Sequence, residues 1–259
     1  MENKSLSIAI TESLITVGEI TARNGSYNCV RSQVYAVNNW ASADSLIAQW
    51  AKAVLDFVGH SLHPLVTLHI AMPGPFDYSE GISHIQYNRN LKSLYAKNIK
   101  LLMAQHLGIC ENHINFYNDA VCSLAAELSI SSQFKGEVLA LYFDEGFGGA
   151  WCQNGKIEDA GLWDQPFLGG KAEDYFSAKW LRKAYFEMTG LNIMSISDVN
   201  DFSSITGKEL LKAFTENLAL YIKELPRQQS LQTIVLGGAI LDSPVNVLAP
   251  LKRRLAALG

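Results

Sequence analysis

Large apolar residues alternate with small ones in Leu6-Ser7-Ile8-Ala9-Ile10, a candidate strand near the start of the chain. After Thr11-Glu12-Ser13, residues 14–21 return as a second strand. Asn24-Gly25, a pair suited to a tight hairpin, leads into a third over 27–37. Ser42-Ala43-Asp44 opens a helix that carries Ile47, Trp50, Ala51, Val54, Leu55 and Val58 at helical spacing. Residues 65–72 read as an apolar strand stopped by Pro73-Gly74-Pro75. A helix is predicted over about 91–107. Residues 112–117 then alternate as a short strand, and Val121, Leu124, Ala125 and Leu128 take up helical spacing.

The second half repeats this order. Residues 137–143 form a strand, Gly146-Phe147-Gly148-Gly149 a turn, and 150–153 a second strand. Asn154-Gly155 is another hairpin signal, and 156–159 begin a third strand. Helices are predicted over 172–189 and 207–224. A strand over 231–236 ends in Gly237-Gly238, and a last helix follows. A duplicated order implies two related α/β domains, 1–117 and 118–259, facing each other across a cleft.

Composition narrows the picture. Hydrophobic residues make up 48% of the 259 and charged residues 18%, enough for packed cores and too apolar for general disorder. A net charge of -4 gives no reason to expect nucleic acid, and Lys252-Arg253-Arg254 reads as a solvated helix end. Cys29, Cys110, Cys122 and Cys152 are scattered without metal-site spacing. No run resembles a leader or approaches the ~20 apolar residues that cross a bilayer. A cytoplasmic protein with reduced thiols and no membrane partner is expected.

Asn118 and Asp119 stand where a predicted strand gives way to a helix. In open α/β sheets ligands bind in that crevice, and a carboxylate there could take a proton from a substrate hydroxyl. The same carboxylate could instead cap the helix by accepting its unpaired N–H groups.

Several segments, in order, resemble the ROK sugar kinases of the actin/hexokinase superfamily. They are Pro73-Gly74-Pro75-Phe76-Asp77, Asn90-Leu91, Asn118-Asp119-Ala120 with Glu127, Gly146-Phe147-Gly148-Gly149 with Asn154-Gly155-Lys156, and Gly237-Gly238. Gly170 to Ser177 is similar to the segment after that family's zinc site. The resemblance implies two ribonuclease-H-like domains flanking a central cleft. It implies Asp119 as the base that deprotonates a sugar hydroxyl, with Gly74, Pro75, Asn90 and Asn118 around the sugar. Gly146, Gly148 and Gly149 would meet the phosphates of ATP, and Gly237 and Gly238 would lie near its adenosine. ATP and magnesium are the implied cofactors, a hexose or N-acylhexosamine the substrate, and a homodimer the assembly.

The chain also departs from the family's pattern. The opening Asp-x-Gly-Gly-Thr is replaced by Ile10-Thr11-Glu12-Ser13-Leu14, and the second loop's Gly-Thr-Gly by Asp144-Glu145-Gly146. Gly161-Leu162-Trp163-Asp164-Gln165 stands for Gly-Glu-x-Gly-His, and the zinc cysteines are missing, Lys171 standing for the last of them. No structural zinc is therefore expected. Like charges ~4 Å apart repel by about 4 kcal/mol at intermediate dielectric, so Glu12 and Glu145 predict weak ATP binding. A kinase-fold protein that binds a sugar without turnover, or serves as a regulatory subunit, stays open as the alternative.

Overall fold

The computed structural model describes residues 5–11, 13–23, 26–38, 40–59, 66–86, 91–131, 134, 136–193, 204–225, 231–241 and 247–258. Glu12, Asn24-Gly25 and Asn90 lie outside them. The chain divides into two compact units, Met1–Cys122 and Ser123–Gly259.

The first unit begins with β1 (Ser5–Ile10), β2 (Leu14–Arg23) and β3 (Ser26–Ala36), followed by α1 (Ala43–Val58) and β4 (Thr67–Met72). Two short strands, β5 (Phe76–Asp77) and β6 (Ile82–Ser83), precede α2 (Ile99–Leu107) and β7 (Ile114–Asn118), and α3 (Asp119–Ile130) begins in this unit and ends in the second. The sheet order is β3-β2-β1-β4-β7. β1, β2 and β3 are antiparallel neighbours, whereas β4 and β7 run parallel to β1. The alternation seen in sequence puts Leu6, Ile8, Leu68, Ile70, Met72, Ile114 and Phe116 into one core. They join Leu46, Ile47, Trp50 and Val54 of α1 and Ile99 and Met103 of α2. The helix predicted over 91–107 is shorter than expected. A single 3₁₀ turn spans Lys92–Leu94, Ala96 takes a positive φ of 57°, and Asn98 starts α2 by accepting the Leu101 N–H.

The second unit holds β8 (Glu137–Phe143), β9 (Phe147–Gln153), β10 (Lys156–Asp159), β11 (Pro166–Phe167) and β12 (Gly170–Lys171). Then come α4 (Glu173–Phe176), α5 (Ala178–Thr189), α6 (Ile205–Glu224), β13 (Leu231–Gly237) and α7 (Leu248–Leu258). Its main sheet, β10-β9-β8-β13, repeats the first four positions of the other sheet, with β13 parallel to β8. This is the ribonuclease-H-like pattern expected of both halves. Asn154 and Gly155 turn between β9 and β10 with φ of 52° and 79°, as a two-residue hairpin requires. The helix predicted over 172–189 is two helices. Ser177 takes an extended conformation, and its hydroxyl accepts from Trp180 N and donates to Glu173 O. Phe143, Phe147, Phe176 and Phe214 pack with ring centroids 5.2–6.2 Å apart, bracing the strands on either side of the β8–β9 turn. Among the described residues no helix is long and apolar enough to cross a membrane.

Candidate functional site

In the first unit the carboxyl ends of β4 and β7 lie side by side, Met72 opposite Asn118. The chain leaves β4 through Pro73-Gly74-Pro75, with a cis Gly74–Pro75 bond. Tyr78 ties the two ends together. Its hydroxyl donates to Met72 O at 3.1 Å and accepts from Asn118 Nδ2 at 3.1 Å. A Cβ on Gly74 would lie 3.3 Å from that hydroxyl and 3.9 Å from Asn118 Nδ2. Gly74 and Asn118 are thus brought together around a tyrosine that the sequence pattern did not single out, with Pro75 next along the loop. Its one signal was an aromatic just beyond the proline loop. Asp77 closes the next turn by accepting from Ser79 and Glu80, and the Glu80 N–H and the Ser79 hydroxyl hold its carboxyl below the usual range.

At the start of α3 both Asn118 and Asp119 accept N–H groups of the first turn. Asn118 Oδ1 accepts the Val121 N–H at 3.1 Å, which makes Asn118 the cap of α3. Asp119 is the first helical residue; its Oδ1 accepts the Ala120 N–H at 2.8 Å, and the residue is exposed. One turn on, burial and then the Asp119 charge push the Cys122 thiol up to about 11, which makes its thiolate scarce at neutral pH.

The second unit presents a pair of stitched turns. Asp144 N donates to Gly146 O, closing the β8–β9 turn, and Asp144 Oδ1 accepts the Ala239 N–H at 2.8 Å. Ile240 N donates to Phe143 O at 3.0 Å. The exit of β13 is therefore fastened to the exit of β8. Glycine is demanded there by packing. A Cβ on Gly237 would lie 2.9 Å from the Tyr142 ring, and one on Gly238 2.6 Å from the Phe143 backbone. Of the three glycines expected to face phosphates, only Gly146 lies in the turn. Gly148 and Gly149 belong to β9, opposite Tyr142 and Leu141, and a Cβ on Gly149 would meet Leu162 and Ala140 O. The turn is shorter than its glycines suggested because Phe147 already pairs with Phe143.

Glu145 does not stand as an uncompensated charge. Both its oxygens are taken by Arg182 of α5, Nη1 to Oε2 at 2.7 Å. Glu173 accepts the Phe147 N–H at 3.4 Å, and its Oε2 would lie 3.0 Å from a Cβ on Gly146. Where the last zinc cysteine would stand, the Lys171 ammonium lies 4.9 Å from the centre of the Trp163 ring.

Burial, above all, raises the Glu173 carboxyl from its ordinary 4.5. Below that value folded and unfolded chains both hold the proton. As pH rises past it the unfolded chain ionises first, and stability falls until the folded value is passed. Glu173→Gln keeps an acceptor for Phe147 and removes the charge. At neutral pH it is expected to melt higher than the wild type. The gap between the two melting temperatures should open as pH rises past 4.5. A pH series of melting curves for both proteins checks this.

These contacts decide whether the turn suits a nucleotide. The repulsion expected from Glu145 is offset by Arg182, and the Asp144 carboxylate accepts a backbone amide. Triphosphate is therefore compatible with the turn. Among the described residues there is no cluster of three acidic, histidine or cysteine side chains for a metal. Magnesium that arrives on phosphates needs only one or two carboxylates.

The sheet orders define a class, a two-unit α/β protein whose units share one strand order. Within it the chain has the fold of the ROK proteins. It superposes on Lmo2764 of Listeria monocytogenes, a candidate N-acetylmannosamine kinase, with a TM-score of 0.73 at 18% identity over 99% of this chain and 90% of that one. A ROK glucokinase from Streptomyces griseus, solved with glucose and AMPPNP, gives 0.69 at 16% identity over 98% and 89%. A ROK transcriptional regulator, a homologue of E. coli MLC, gives 0.70 at 14% identity over 99% and 70%. No protein-family model matches the sequence, and no curated protein matches it.

Proposed function

We propose that this protein phosphorylates a hydroxyl of a hexose or N-acylhexosamine, with ATP as donor. What supports the reading is the division of labour at the start of α3. Asn118 caps the helix through the Val121 amide, and Asp119 stands exposed beside it at the carboxyl end of β7, its Oδ1 accepting the Ala120 N–H. Asp119 takes the proton of the attacking hydroxyl, while Asn118, Gly74, Pro75 and Asn90 shape the sugar site. The turn at Gly146 receives phosphate, with Gly148 and Gly149 shaping the strand behind it, and Gly237 and Gly238 lie toward the adenosine. ATP with magnesium, when bound, supplies the transferable phosphoryl group. Such transfer is mostly positioning and charge stabilisation, so one base and well-placed backbone suffice.

The test is ADP release across a panel of hexoses and N-acylhexosamines. Turnover with at least one is expected. Sugar-induced stabilisation without turnover on any would favour the second reading, a sugar-binding regulator. That reading is supported by the shared fold of the ROK regulator and by Leu162 and Gln165 in place of the family's sugar-binding Glu and His. Tyr78→Phe should cost about 1 kcal/mol of stability, because the Met72 carbonyl loses its donor and Asn118 Nδ2 its acceptor. It should raise the sugar KM several-fold with kcat little changed, as steady-state kinetics would read.

A further inference from the structure

Glu145 is the residue of the β8–β9 turn least suited to a polyphosphate, and α5 is built to hold it. Ser177 caps α5, and Ala178 N donates to Asp144 O at 2.8 Å, so the first turn of the helix is anchored on the main chain of the turn itself. Arg182, one turn further along, then meets Glu145 with both guanidinium prongs. The two side chains are only 27% and 33% exposed, and a two-pronged pair in that setting is held far better than a solvated one. The other two acids at the turn accept amides, Asp144 that of Ala239 and Glu173 that of Phe147.

We infer that Arg182 is a positioning residue that makes the acidic turn Asp144-Glu145-Gly146 usable for phosphate. By taking both oxygens of Glu145 it holds that carboxylate against α5 and cancels its charge. The inference rests on the nucleotide-binding reading given above.

The experiment measures ATP-magnesium dissociation constants by calorimetry for the wild type, Arg182→Met, Glu145→Gln and the double variant, at low and high salt. Arg182→Met is expected to weaken binding at least about tenfold, or ~1.4 kcal/mol, at low salt, and by less at high salt. The double variant is expected to recover to within about threefold of the wild type, since a tenfold effect of charge disappears with the acid. An arginine that serves only to fasten the helix would leave the double variant as weak as Arg182→Met, and that result overturns the inference. So does Arg182→Met binding like the wild type. If Arg182→Met does not fold, Glu145→Gln decides: it leaves Arg182 free of its acid and should bind ATP-magnesium more tightly than the wild type, and weaker binding overturns the inference. A wild type that gives no binding heat overturns the nucleotide reading together with this one, and the wild-type titration alone separates that result from the others.

Discussion

Asp119→Asn is expected to lower kcat by about 10²–10⁴-fold, the usual worth of a positioned general base, while sugar still binds. The substitution keeps the side-chain volume and an oxygen for the Ala120 N–H, which the carboxylate accepts at 2.8 Å. Asn118 remains the cap, so α3 should persist. Removing a negative charge from a helix N-terminus costs roughly 0.3–1 kcal/mol, a small fall in melting temperature. Sugar at a hundred times its Kd should still stabilise the variant by about 2.7 kcal/mol, as it would the wild type. Steady-state kinetics beside thermal shift makes the comparison. Unchanged kcat would place the base elsewhere, whereas loss of the sugar shift together with kcat would make Asp119 a binding residue.

The second large effect is on stability. Gly238→Ala is expected to destabilise the second unit by roughly 2–6 kcal/mol. About 1–3 come from a side chain forced to a positive φ, and about 1–3 from overpacking. Gly238 has φ 101°, and its Cβ would stand 2.6–2.7 Å from N, C and O of Phe143. That is backbone against backbone at the joint where Ile240 N and Ala239 N fasten β13 to the β8 turn, so neither side yields cheaply. A drop in melting temperature on the order of 10 °C is expected. Gly59→Ala is the control: φ there is 85° with open space around the Cβ, so only strain of ~1–2 kcal/mol remains. Equal losses for the two variants would show that φ alone matters and that the joint tolerates a methyl group.

Where the sequence was read correctly, the physics was local. Alternation in Leu6-Ser7-Ile8 marks a strand whichever partner it finds, because successive side chains point to opposite faces. Ser42 caps α1 through the Ser45 N–H three residues on, and Asn154-Gly155 turns a hairpin through its own φ angles. Where the reading slipped, local propensity met a local competitor that pattern alone underweighted. Ser177 splits the helix predicted over 172–189, and Asn98 delays the one predicted over 91–107, each by capping a new helix. Gly148 and Gly149 suggested a longer turn, but β9 captures them because its pairing with β8 runs from Phe147 onward.

By itself, then, the sequence determined the strands, the order of elements repeated in two halves, and the candidate chemistry at Asn118-Asp119. Each of these depends on neighbours a few residues away. Only the tertiary structure decided which charges are compensated and which loops are braced. Tyr78 reaches Asn118 across 40 positions, Arg182 reaches Glu145 across 37, and Asp144 reaches the Ala239 amide across 95. A carboxylate's partner is set by whichever helix or turn the packed core brings beside it. Glu145 read along the chain is therefore a bare acid in a phosphate turn, and Glu145 in the fold is half of an ion pair.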